Sequence, residues 1–214
     1  MRKLLILLLL LFLPVAVSAN VEVFGQITSD TTWSPDNGAY IIDSSFSIGQ
    51  NATLTIEPGT IIKAKNNGPL SQGILGRLIA RGTSELPIHF TSWSDDSIGG
   101  DSNGNGPSSG TPGEWQGLYF KSGSVGDLDY VNLIYAGYGG PYAYNYGHLI
   151  GIENDGGILN IKHSNIRDNH KILFDWSVGQ YKDGSAILNK NGELTVNDSV
   201  IDNSAFGIQI MSGT

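Results

Sequence analysis

The chain has 214 residues, with 20 acidic against 12 basic side chains, a net charge of −8 and no cysteine. Nothing in that balance would neutralise a row of phosphates, so nucleic acid is excluded as a partner. Without cysteine there is neither a disulfide framework nor a lipidated thiol. Twenty-nine glycines beside only 15% charged residues favour many short strands and turns.

In chain order, Met1-Arg2-Lys3, an apolar run from Leu4 to Leu13 and the small-residue close Val17-Ser18-Ala19 predict a signal peptide over residues 1–19. The run is shorter than the roughly 20 residues that span a bilayer. The mature chain is therefore expected to carry no transmembrane span and to be secreted or held at the cell surface. Residues 20–52 predict an N-terminal cap with opening strands near Val21–Ile27 and Tyr40–Ile42, and Trp33 as a lid over the exposed end. Residues 53–214 then repeat one layout. Leu54-Thr55-Ile56 leads into the turn Glu57-Pro58-Gly59-Thr60, and Ile61-Ile62 follows. The same strand–turn–strand pattern returns around Leu78, Ala80, Ile88 and Phe90, at Trp115–Phe120, and at Leu128–Leu133. The clearest repeat pairs GILNIKHSNIRDN from Gly157 with GELTVNDSVIDNS from Gly192, which matches Leu159 with Leu194, Ile161 with Val196, Ser164 with Ser199, Ile166 with Ile201 and Asp168 with Asn203. Apolar positions in register mean one unit stacked on its copies. Ser164/Ser199 and Asp168/Asn203 are expected to form ladders, and Gly157 and Gly192 to occupy corners with positive φ. The pattern runs to Met211 with no distinct terminal cap, so truncation at the C-terminus is expected.

The runs TLTIEPGTIIK, RLIARGTSELPIHFTS and PGEWQGLYF, followed by the G-x-L-x-[IV]-x-x-S-x-[IV] repeats, resemble right-handed parallel β-helix proteins of the pectin-lyase-like superfold. They are similar in particular to the N-terminal part of secreted bacterial surface β-helix proteins. The resemblance implies an all-β fold, a right-handed single-stranded parallel β-helix with an N-terminal cap. It does not imply one activity, because a fold hosts many.

Three polar or aromatic excursions interrupt the rungs: Asp95–Pro112, Tyr135–Tyr146 and Phe174–Tyr181. In the first, Asp101, Asn103 and Asn105 with Gly106 fit the opening of a calcium loop, where alternating oxygens converge on a hard cation. Position 12 of that loop is Pro112 where a full EF-hand has a glutamate, so a Ca²⁺ site and a plain polar loop both stay open. The second is rich in tyrosine; Tyr138, Tyr142 and Tyr144, with Trp176 of the third, are candidate platforms for sugar rings. Packing of these rings on the solenoid flank is the competing reading. Glycosidic cleavage needs two carboxylates about 5–10 Å apart. Asp168, Asp175, Asp183 and Asp202 are the available acids near the repeats, and no compact motif marks them. The histidines at 89, 148, 163 and 170 lack zinc spacing, and no phosphate-binding glycine motif joins a strand to a helix. The expected role is a structural, adhesion or carbohydrate-binding module that meets a polysaccharide, a cell-surface glycan or a surface protein through its loops. A polysaccharide lyase or glycoside hydrolase is the alternative.

Overall fold

A computed structural model describes residues 19–43, 45–65, 73–138, 149–169, 172–175 and 180–211, with the backbone alone at 172–175 and 180–183. The expected signal peptide, bar Ala19, lies outside the described residues. Strands are numbered along the chain and fall into three sheets, each parallel throughout. Sheet A contains β1 (Val21–Val23), β4 (Tyr40–Ile42), β7 (Ile61–Ala64), β10 (Ile88–Ser92), β13 (Val131–Ile134), β16 (Asn165–Arg167) and β21 (Val200–Asp202). Sheet B contains β2 (Gln26–Ile27), β5 (Ser47–Ile48), β8 (Gly73–Ile74), β11 (Leu118–Phe120), β14 (Ile150–Asp155), β19 (Ser185–Lys190) and β22 (Phe206–Met211). Sheet C contains β3 (Thr31–Trp33), β6 (Thr53–Ile56), β9 (Arg77–Arg81), β12 (Val125–Asp129), β15 (Ile158–Lys162) and β20 (Glu193–Asn197). The chain visits A, B and C in rotation, and each strand pairs with its counterpart one turn away. This is a right-handed parallel β-helix. The remaining strands, β17 (Ile172–Asp175) and β18 (Gln180–Asp183), form an antiparallel hairpin between β16 and β19.

Alternation along each strand sends every second side chain inward, and stacking aligns those side chains into columns. In sheet A, Tyr40, Ile62, Phe90, Leu133, Ile166 and Ile201 lie over one another. In sheet C, Trp33, Ile56, Ala80, Leu128, Ile161 and Val196 do the same. Neither set could be buried by one turn alone. Together they make one continuous core. Gly126 interrupts a column of Leu54, Leu78, Leu159 and Leu194, because a Cβ there would meet the Phe120 ring at 2.5 Å and Leu159 Cδ1 at 2.6 Å. Phe120 has taken that space. Registration begins at Val21, so residues 21–33 already supply one strand to each sheet. Trp33 stacks on Tyr40 at 4.5 Å and contacts Phe46 at 5.6 Å, an aromatic cluster at the N-terminal end of the core.

The corners have their own columns. At the C-to-A corner, Tyr130, His163 and Asp198 are left-handed, with φ of 49°, 45° and 47°. At the A-to-B corner the residues are Tyr135, Asp168 and Asn203, with φ of 64°, 54° and 53°. At B-to-C they are Gly123, Gly156 and Asn191. Asn, Asp and His tolerate this region better than other side-chain-bearing residues. The expectation of positive φ at Gly157 and Gly192 is corrected here: the left-handed residue is the one before each. Those two glycines answer a close approach instead, since a Cβ would lie 2.8 Å from Asn154 Oδ1 at position 157 and 2.2 Å from Asn154 Nδ2 at position 192.

The expected repeat is the strand register. Leu159 faces Leu194, Ile161 faces Val196 and Ile166 faces Ile201. The serine ladder forms: Ser164 Oγ accepts the Val131 amide at 3.0 Å, and Ser199 Oγ accepts the Ser164 amide at 3.1 Å. Each hydroxyl donates to the carbonyl two residues back. Asn203 Nδ2 donates to Asp168 Oδ1. A third ladder lies inside sheet B, where Asn154 Nδ2 donates to Asn189 Oδ1 at 2.7 Å and Asn154 Oδ1 accepts the Gly157 amide at 3.0 Å.

Candidate functional site

Residues 93–117, between β10 and β11, are built almost wholly from small polar residues, glycine and proline, and they are anchored at many points. Asp95 is buried; its Oδ2 accepts from Thr91 Oγ1 at 2.6 Å, and its Oδ1 accepts from the Ser97 amide and hydroxyl at 3.1 and 2.5 Å. Asp96 Oδ2 accepts from the Ser108 amide at 2.7 Å, which ties the outgoing leg to the returning one. Trp93 Nε1 donates to the Ser102 carbonyl at 3.3 Å, and Lys65 Nζ sits 5.1 Å from the Trp93 ring centre. On the returning leg Gly110 is required, because a Cβ would stand 2.2 Å from Tyr135 Cδ2. The Glu114 amide donates to the Tyr135 carbonyl at 2.9 Å, and the Trp115 indole is buried with its N–H on the Ile134 carbonyl at 2.7 Å.

The expected calcium ligands share this loop. Asp101 accepts the amides of Gly104 at 2.7 Å and Gly106 at 2.9 Å, while Asn103 Oδ1 accepts the Asn105 amide at 3.2 Å. Asn105 Oδ1 lies 3.5 Å from the Ser108 hydroxyl. The Gly106 amide leads a set of loop N–H groups that hold the Asp101 carboxyl below the usual carboxylate range. Among the described residues, no three His, Cys, Asp or Glu side chains converge as a metal set.

Of the expected sugar platforms, Tyr138 is half-buried and its amide donates to the Trp115 carbonyl at 2.9 Å. Tyr142, Tyr144 and Trp176 lie outside the described residues, as do His148 and His170. Of the carboxylates considered for catalysis, Asp168 and Asp202 fall on neighbouring turns, Asp168 paired with Arg167 and Asn203 at a corner and Asp202 opposite Arg167 in the register, while Asp175 and Asp183 lie in β17 and β18 of the hairpin. His163 stacks on Tyr130 at 4.7 Å with its Nδ1 2.8 Å from Asp129. His89 is pushed down by burial, with Asp95 opposing the shift.

Sequence reading missed a second feature, on the outer face of sheet B. Tyr119, Glu153 and Leu188 occupy one outward column and Asp155 and Lys190 the next. Lys190 Nζ donates to Glu153 Oε1 at 2.7 Å; the glutamate is only 3% exposed. Tyr119 Oη donates to Asp155 Oδ2 at 3.2 Å, and Lys121 Nζ lies 5.0 Å from the Tyr119 ring centre. Burial pushes the Tyr119 hydroxyl up to about 12, and the Glu153 and Asp155 carboxylates add to the shift. The only signal in the chain was the outward-facing place of these residues in β11, β14 and β19, which needs the register to be known. The 93–117 loop runs directly into β11, so it brings its polar surface to the start of this strip.

The molecule is thus a parallel β-helix whose longer connections all leave the A strands, beside a sheet with alternating acid, base and aromatic groups. Over residues 25–106 the chain is similar to the family described as a pectate-lyase like beta helix domain. That span runs from the first turn into the 93–117 loop. No curated protein and no solved structure matches it. Among the described residues no helix is long and apolar enough to cross a membrane.

Proposed function

We propose that the chain is an extracellular, non-catalytic module that binds a polysaccharide or cell-surface glycan along the outer face of sheet B and the A-to-B loops. The observation that supports it most is the strip of Tyr119, Lys121, Asp155 and Lys190, all partly exposed on successive turns, with the buried Glu153 holding Lys190 in place from beneath. Turns repeat about every 4.8 Å along the rod, so a linear polymer lying along the axis meets hydrogen-bonding groups at a regular interval. Tyr119 adds an aromatic face with a hydroxyl, the kind of group that takes a sugar ring. Tyr138, Tyr142, Tyr144 and Trp176 belong to this reading as further platforms. Ca²⁺ held by Asp101, Asn103 and Asn105 belongs to it as a stiffener of the loop tip.

Affinity electrophoresis through gels loaded with neutral and acidic polysaccharides tests the reading. Retention by one of them, weakened at least about tenfold in the double variant Glu153→Gln/Lys190→Met, is expected; tenfold corresponds to about 1.4 kcal/mol. Unsaturated uronides appearing in the same mixtures would replace binding with lyase chemistry. Retention unchanged in that variant and in Tyr138→Ala/Tyr142→Ala/Tyr144→Ala would remove both surfaces. If Ca²⁺ leaves cleavage of the Asp101–Gly106 tip unchanged, the metal drops out while the glycan reading stands.

A further inference from the structure

Lys63 lies in an outward column of sheet A, between Ile41 and Thr91 in the register. An outward lysine on a solenoid face ordinarily ends in water, with its stem along the surface. This one is 0% exposed, because the first leg of the 93–117 loop lies across it. Its Nζ donates to the Asp95 carbonyl at 2.8 Å and to the Gly100 carbonyl at 2.6 Å. The chain reaches that position through Gly99 and Gly100, both left-handed at φ 71° and 74°. At Gly99 the backbone comes so near that a Cβ would lie 3.2 Å from Ile61 Cδ1 and 3.5 Å from Lys63 Cε. Burial draws the ammonium below its ordinary pKa, and the charges of Asp96, Asp95 and Asp101 act in the opposite direction. Backbone carbonyls with carboxylates close by are the surroundings that a bound cation usually has. Here a side chain of the rod occupies the centre.

We propose that Lys63 is the positioning residue of the 93–117 loop, a tethered ammonium that fills a cation seat at the loop's root. The root, residues 95–100, is then ordered without any metal, whatever happens at the Asp101–Gly106 tip. The loop is presented to a ligand already shaped, with little ordering cost on binding. The link to glycan binding rests on the function proposed above; the ordering of the loop does not.

Chemical rescue separates this role from plain packing. Lys63→Ala removes the ammonium and leaves a channel that fits propylammonium. The expected result is cleavage of residues 95–108 by subtilisin, mapped by mass, at least about tenfold faster than in the unaltered protein, as for one lost charge-assisted hydrogen bond. Propylammonium should restore protection, and tetramethylammonium, which has no N–H, should not. Cleavage at the original rate, or no rescue by the primary amine, overturns the proposal. A second measurement observes the ammonium group directly. Ammonium protons of exposed lysines exchange too quickly to be seen near neutral pH, whereas a buried, doubly bonded one persists. One lysine Nζ signal should survive in nitrogen-15 spectra of the unaltered protein and vanish in Lys63→Arg; no surviving signal also overturns it. Absent glycan binding combined with a rescued loop would remove the function and leave the role of Lys63 intact.

Discussion

Residues 93–117 and residues 193–211 have opposite compositions and opposite surroundings. The first stretch is mostly polar, glycine or proline, yet buried groups beneath it, from Lys63 and Thr91 to Trp115, hold it at both ends. The second alternates apolar residues in good strand pattern, yet Ile208 is 43% and Ile210 65% exposed, while Ile187 one turn below is fully buried. Among the described residues no strand lies beyond β20, β21 and β22. Order and burial in this solenoid follow from what the neighbouring turn offers, and a segment's own composition is a poor guide to either.

The comparison breaks most readily in the core. Phe120→Ala should cost about 3–5 kcal/mol and Leu128→Ala about 2–5 kcal/mol, whereas Ile208→Ala or Ile210→Ala should cost under about 1 kcal/mol. Urea midpoints read the difference; equal losses would mean that the last turn is covered as well as the middle ones. Asn154→Ala comes next, at about 1–3 kcal/mol, because it strands the Gly157 amide and the Asn189 side-chain Oδ1 inside the rod. A smaller loss than from Ser199→Ala at the exposed end would show that the amide ladder is not structural.

A third test uses Tyr119. Its folded pKa is raised, so its contribution is complete below the ordinary tyrosine value of about 10 and is lost as pH rises through about 12. Ultraviolet difference titration should show a tyrosine ionising late, and Tyr119→Phe should remove that step alone. The smallest effect is at the loop tip. The Asp101 carboxyl is held down by the Gly106 amide and its neighbours. Its contribution is therefore full above the ordinary carboxylate value of about 3.9 and fades as pH falls through the depressed one. Pepsin should cut the tip only well into acid, and Asp101→Ala should be cut at higher pH; identical profiles would detach the tip's order from that carboxylate.

The repeat from Gly157 and Gly192 was legible because stacking forces like residues into the same inward place, so Leu159, Ile161 and Ile166 announce Leu194, Val196 and Ile201 in the chain itself. The serine ladder could be read for the same reason. The amide ladder of Asn154 and Asn189 could not, since two asparagines in glycine-rich turns look like surface residues until their strands are seen to point them inward. Tyr130 and His163 gave no sign that they would adopt left-handed corners. Glu153 and Lys190 looked like ordinary strand charges, and only the register sets them side by side on an outer face. The expected sugar platforms at Tyr142, Tyr144 and Trp176 fall outside the described residues, so the glycan reading now leans on groups that the sequence did not single out.

Composition and periodicity were enough to determine an all-β chain of stacked repeats: short β-branched runs, glycine-rich turns and a self-similar spacing bury their apolar side chains only against copies of the same unit. That the coil is parallel and right-handed was implied by the resemblance of its runs to a known superfold. What the tertiary structure decided is where polar groups meet across turns far apart in the chain. Lys63 finds its carbonyls at Asp95 and Gly100, and Glu153 finds Lys190. Local sequence sets backbone preference and the inward stripe, but hydrogen bonds and ion pairs depend on angles and distances that exist only once the turns are stacked.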